Sequence, residues 1–201
     1  SVGGDTNGDG NASVPAAGDW GGIYVDGYSG VGGVVIDRAR VRFASSGVSA
    51  MGTGVSRLVV RDSVVSDSSS VGISSYGVVV APVVTGNVVT GSVGPAISLM
   101  SSQLDAGSLG GNNGSGNKSG IELAGEVTGS GTLTSGSLPV VVGSASYGLL
   151  KITNDAVVTI PAGQVWKSAG ASLRVDGSLV VAGSSESPVV FTSLKDDSVG
   201  G

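Results

Sequence analysis

The sequence predicts an all-β chain wound as a single parallel β-solenoid of about eight coils, and three observations carry that expectation. First, the 201 residues include 37 Gly and only 12% charged residues, yet 40% are hydrophobic. The apolar content lies in short β-branched runs such as Val34-Val35-Ile36, Leu58-Val59-Val60, Val78-Val79-Val80 and Val140-Val141-Val142, each bounded by small or polar residues. Second, no stretch places apolar residues at helical spacing over three turns, and Gly interrupts every candidate. Third, an apolar residue preceded by a small one recurs at Ile23, Val48, Ile73, Ile97 and Ile121, in steps of 25, 25, 24 and 24 residues. One fixed period with like residues in register and no helix suits a coil that stacks on its predecessor. It does not suit a sandwich, and a propeller blade needs about 40 residues.

Within the period two further series define strands. Ile36, Val60 and Val84 lie 24 apart, and so do Val41, Val65 and Val89. The C-terminal quarter keeps the pattern in a different texture: Leu150–Ile152, Val157–Ile160, Gln164–Lys167, Ser172–Val175, Ser178–Val181 and Val189–Phe191 read as strands. Pro161-Ala-Gly163, Asp176-Gly177 and Ala182-Gly183 read as their corners. The segment from Gly110 to Gly131 reads as a loop and one strand. Asn87 and Asn117 fall at corners, where Asn either stacks into a hydrogen-bonded ladder or closes a local Asx-turn.

Composition excludes much chemistry. Without Cys there is no disulfide, thiolate metal site or cysteine nucleophile, and without His the commonest general base and zinc ligand are missing. A net charge of −5 argues against nucleic acid as a partner. The apolar runs are too short for a transmembrane helix or a signal peptide, so no membrane insertion is expected.

The stretch Pro161-Ala-Gly163, Trp166-Lys167, Leu173-Arg-Val175-Asp-Gly-Ser-Leu179 and Pro188-Val-Val-Phe-Thr-Ser193 resembles the β-helical repeats of large bacterial cell-surface and secreted proteins. Leu58–Val65 and Gly86-Asn-Val-Val89 resemble the general right-handed parallel β-helix repeat. Together these matches cover most of the chain. They imply a right-handed parallel β-helix and an extracellular or cell-surface setting, while leaving function open, because lyases, adhesins and passive stalks share the scaffold.

The chain opens Ser1-Val-Gly-Gly4 and ends Ser198-Val-Gly-Gly201, and joining end to start gives a continuous phrase of the same type. The expected organisation is therefore a junction loop at 1–20, a β-helix over 21–193 and a junction segment at 194–201. The expected partners are copies of the chain, or adjacent repeats of it, stacked head to tail. Asp5-Thr-Asn7-Gly-Asp9-Gly10-Asn11-Ala-Ser13 puts oxygen side chains at alternate positions with Gly at the sixth, which resembles the first half of an EF-hand or dockerin calcium loop. The resemblance implies a structural Ca2+ held by Asp5, Asn7, Asp9, Asn11 and Ser13. The twelfth position is Ala16 where that loop has Glu, so Asp19, or Asp196 and Asp197 of an adjoining copy, would have to complete it.

Other candidates are Arg38, Arg40 and Arg42, expected on one strand face with Arg61 nearby and Asp37, Asp62 and Asp67 as partners. Glu122, Glu126 and Lys118 are the only close acid–base grouping in the middle coils. The expected function is a non-catalytic structural repeat of an extracellular filament or stalk. An adhesin or glycan-binding module on a surface glycan is the alternative, with a polysaccharide lyase behind it.

Overall fold

A computed structural model describes residues 5–143 and 148–200. The strands are β1 (Ile23–Asp26), β2 (Gly32–Asp37), β3 (Arg40–Arg42), β4 (Val48–Met51), β5 (Val55–Arg61), β6 (Val64–Ser66), β7 (Ile73–Val78), β8 (Val83–Thr85), β9 (Val88–Thr90) and β10 (Pro95–Asp105). They continue as β11 (Asn113–Ser115), β12 (Ser119–Gly129), β13 (Gly131–Thr132), β14 (Val140–Val142), β15 (Leu149–Ile152), β16 (Val157–Pro161), β17 (Val165–Ser168), β18 (Ser172–Val175), β19 (Ser178–Ala182) and β20 (Val190–Ser193). The only described helical element is a 3₁₀ turn at Ala106–Ser108.

Every described strand pairing is parallel and joins one coil to the next. The main sheet runs β1-β4-β7-β10-β12-β14-β17-β20, eight rungs and therefore about seven turns of a parallel β-solenoid. Beside it lie β2-β5-β8, β3-β6-β9-β11 and β13-β16-β19.

The 24–25-residue period is the vertical spacing of this stack. One inward column of the main sheet runs Ile23, Val48, Ile73, Ile97, Ile121, Val140, Trp166 and Phe191, each residue directly opposite the next. Ile36–Val60–Val84 and Val41–Val65–Val89 are columns of the two flanking sheets. Successive strand residues face opposite sides, so alternate Val and Ile enter a core one side chain wide. Burying each aliphatic side chain contributes about 1.5–3 kcal/mol, which offsets the entropy of ordering so Gly-rich a backbone.

Two local expectations fail. Val78-Val79-Val80 is no strand: β7 ends at Val78, Val79 is exposed, and the next strand starts at Val83. Gly110–Gly131 holds more than a loop and one strand, because β11 and the eleven-residue β12 both fall in it and β13 begins at its last residue. β12 is long because it serves two strands of the following coil, pairing β14 through Ile121–Leu123 and β15 through Gly125–Val127.

The corners follow one backbone rule. A left-handed residue precedes β3, β6, β9 and β11 at Arg38, Asp62, Gly86 and Gly111, and another follows at Phe43, Asp67, Gly91 and Gly116. Because Arg38 turns the chain in this way, it does not share the outward face of Arg40 and Arg42 on β3. Arg61 lies beside Asp37, one coil below, at 2.9 Å.

Candidate functional site

At the N-terminal end, Asp5 folds the loop around its own carboxylate. Its two oxygens accept the backbone N–H groups of Asp9 at 3.0 Å and Gly10 at 2.8 Å, and Gly8 and Gly10 make the turn with positive φ. The Asn7 amide donates to the Ser13 hydroxyl at 2.9 Å. Asp5, Asn7, Asp9, Asn11 and Ser13 thus belong to one exposed curl.

Asp19 stands outside that curl, accepting the Ala16 N–H at 2.8 Å. Asp196 and Asp197 follow β20, at the opposite end of the eight-rung stack, roughly 34 Å from β1 at about 4.8 Å per rung. One chain therefore offers two carboxylates and neutral oxygens to a cation at this loop, and no third acid. Among the described residues no group of three or more His, Cys, Asp or Glu could hold a metal.

The loop joins the coils through Gly18, whose N–H donates to the Phe43 carbonyl, and through Trp20, bridged to Ala44 and bonded by its indole N–H to the Arg42 carbonyl at 2.8 Å. Trp20 therefore packs at a coil end, while Trp166 is buried in β17 with the Phe191 ring 6.1 Å away.

At the C-terminal end the core columns come into solvent. Ile152, Ile160 and Trp166 are 0–2% exposed, whereas the residues stacked on them, Val175, Val181 and Phe191, are 42–49% exposed. The described chain places no strand on the outer edges of β18, β19 and β20. This end is an open cross-section of the solenoid. At the N-terminal end the comparable residues Val25, Ile36 and Val41 are buried.

Residues 194–200 do not continue the stack. They fold back along its side, with Gly200 against Val165 and Pro139. Asp196 anchors this strap: it accepts bonds from the Ser198 hydroxyl and N–H and from the Thr192 hydroxyl, which hold its carboxyl at about 2. Beneath the strap Lys167, only 3% exposed, donates from Nζ to the Asp196 carbonyl at 2.8 Å. Beside it opens a cleft of about 160 Å³, walled by Lys118, Ser119, Ser137, Pro139, Lys167 and Asp197.

Glu122, Glu126 and Lys118 are not assembled as one acid–base group. Glu126 is paired with Lys151 at 3.2 Å, which also faces Asp176 at 3.7 Å. Glu122 accepts from Ser119 and Ser98. Burial nonetheless pushes its carboxyl up, although those hydroxyls and the nearby Lys118 pull it down.

Two elements escaped the sequence reading. Lys167 gave no signal because burial under the strap depends on tertiary folding. The exposed tip was implicit in the last column residues, but only their stacking partners reveal that they face inward. Compared with family models, with curated proteins and with solved structures, the chain matches none.

Proposed function

We propose that this chain is a non-catalytic structural segment of an extracellular filament or surface stalk, stacking end on end with copies or adjacent repeats of itself. The observation that carries this reading is the open C-terminal coil, where Val175, Val181 and Phe191 sit at core positions yet face solvent beside unpaired strand edges. Unpaired edges over an apolar face are templates for further pairing. The likeness of the repeats to bacterial surface proteins supports the setting. The repeated Ser-Val-Gly-Gly falls partly on Ser1–Gly4 and Gly201, which lie outside the described residues.

Electron microscopy and sedimentation velocity test the reading. Fibres should show an axial repeat of roughly 35–40 Å, from eight rungs at about 4.8 Å. Val181→Asp puts a charge on the open end without disturbing a buried site, and it should abolish the fibres. Monomers at all concentrations from the native chain would overturn the reading.

Calcium belongs to the same proposal as an ordering ion at the junction. The loop supplies Asp5, Asn7, Asp9, Asn11 and Ser13, and the free carboxylate of Asp197 on the preceding copy completes the set, since Asp196 is already engaged. Calcium should then raise Tm and promote association together, and Asp9→Asn should remove both effects.

A second reading rests on the outer face of the main sheet near β1–β10. There Tyr24, Tyr28 and Tyr76 are exposed beside the outward column Ser49–Ser74–Ser98. Rings that stack on sugars next to a row of hydroxyls suit a neutral surface glycan. Retention of the chain on neutral polysaccharide, lost in Tyr24→Ala with Tyr76→Ala, would support it.

A further inference from the structure

We infer that the cleft beside the strap receives the acidic N-terminal loop of the next copy, so that successive copies are held by a lateral clasp as well as by the stacked ends. This rests on the end-on assembly proposed above. Four observations converge on it.

The loop is exposed along residues 5–17, so its own coils leave it free to reach elsewhere. Its charge is one-sided: between residues 5 and 20 the charged residues are Asp5, Asp9 and Asp19, with no Lys or Arg. The cleft offers the complementary sign, lined by the exposed Lys118 and by Lys167 against one acid, Asp197. Among the described residues the Lys167 side chain donates one hydrogen bond, to the Asp196 carbonyl; nearly buried, it adds positive charge to the cleft, and the exposed Lys118 is the group an incoming carboxylate meets.

The fourth observation is position. The loop leaves the stack at the corner where Gly18 and Trp20 meet Phe43 and Ala44. That corner continues through Ser69, bonded to the Ala44 carbonyl, and Val93, bonded to the Ser68 carbonyl, to Lys118, bonded to the Ser92 carbonyl. Loop and cleft therefore lie on one edge of the solenoid, the loop at its start and the cleft near its far end. If β1 of the next copy stacks on β20, its loop starts three or four rungs from the cleft, about 15–20 Å. Thirteen residues can span about 43 Å fully extended, so the loop can reach the cleft and turn within it.

The test uses the intact chain and charge exchange, read by sedimentation velocity in EDTA, so that loss of the calcium ligand at Asp9 does not enter the comparison. Lys118→Glu and Asp9→Lys each should weaken association about tenfold, and the double variant should recover most of it, because the exchanged pair attracts again. Lys118 and Asp9 are both exposed, so circular dichroism should show native folding in all three. The chain has no Cys, so Asn7→Cys and Ser119→Cys chains mixed under oxidation should trap an intermolecular disulfide. If Val181→Asp abolishes association while the charge variants and the cysteine pair do nothing, the stacking reading survives and the clasp is overturned. If Val181→Asp has no effect, the stacking reading falls and the clasp falls with it. Shifts of the Lys118 and Ser119 amide resonances on adding oligogalacturonate, with association unaffected by charge exchange, would assign the cleft to an acidic glycan instead.

Discussion

Asn87 and Asn112 close one corner of the solenoid from the inside. Asn112 donates to the Val84 carbonyl at 2.8 Å and accepts from the Asn87 N–H and side-chain amide, and Asn87 in turn donates to the Val60 carbonyl and accepts from Ser63. Both are buried, so four of these bonds satisfy backbone groups that water cannot reach, and the fifth links the two side chains. Asn112→Ala leaves the Val84 carbonyl and the Asn87 donors short, at about 1–3 kcal/mol for a group left unpaired. A loss of about 2–4 kcal/mol should appear in urea unfolding. The corner position of Asn87 allowed a ladder or a local Asx-turn; the structure shows the ladder, whose partner was not legible in the sequence. Asn117, the other corner Asn, accepts from Ser92 and donates to the Val89 carbonyl in a different corner. Asn112 sits in an Asn- and Gly-rich run that reads as loop, and only the 25-residue step from Asn87 singles it out. Glu122 gives a prediction in pH. Its folded carboxyl is raised from the ordinary 4.5 by burial, so the folded chain binds more protons than the unfolded one just above that value, and stability declines as pH rises through it. Glu122→Gln removes the buried charge. Its Tm should exceed that of the native chain at pH 7, and the gain should fade below about pH 4.

Among the elements, β17 shows how a column tolerates change. Trp166 fills the inward column between Val140 and Phe191, and among the described residues its buried indole N–H has no hydrogen-bond partner. Trp166→Phe keeps most of the ring and removes the unpaired donor, so thermal unfolding should change little. Trp166→Ala leaves a cavity beneath the last rung and should cost about 3–5 kcal/mol. The strands themselves were legible, because a period of two within a period of 24 is a pattern that composition alone cannot imitate. The corners were half legible. Gly86, Gly91, Gly111 and Gly116 announce a left-handed backbone, but Arg38, Phe43, Asp62 and Asp67 adopt it too and carry no such signal. Stacking on the next coil imposes their conformation: the N–H groups of Arg38, Asp62, Phe43 and Asp67 donate to the carbonyls of Arg61, Thr85, Ser66 and Thr90. That is why three alternating Arg residues read as one strand face when the first belongs to the turn.

For the whole molecule, every described strand pairing joins one coil to the next, so stability is distributed along the axis. Amide hydrogen exchange should be slowest in β7, β10 and β12 and fastest in β18–β20, with the last coil opening independently in the monomer. In fibres that fast-exchanging group should become protected, since the exposed edges would then be paired. The overall architecture was readable because the repeat is long enough to count. The strap was not, because its fold depends on Lys167, a residue of the preceding coil that the sequence gives no reason to associate with it. The unlike ends have a further consequence. Strands that all run in parallel give the stack a direction, with buried core residues in its first coil and solvent-facing ones in its last. Any joint between such ends is heterologous and does not close on itself, so growth has no natural final size. A chain that can add by its first coil but has its last coil blocked therefore acts as a terminator at one end: a Val181→Asp molecule stops growth at the end it joins and leaves only the first-coil end to extend, so mean length should shorten as its share of the mixture rises.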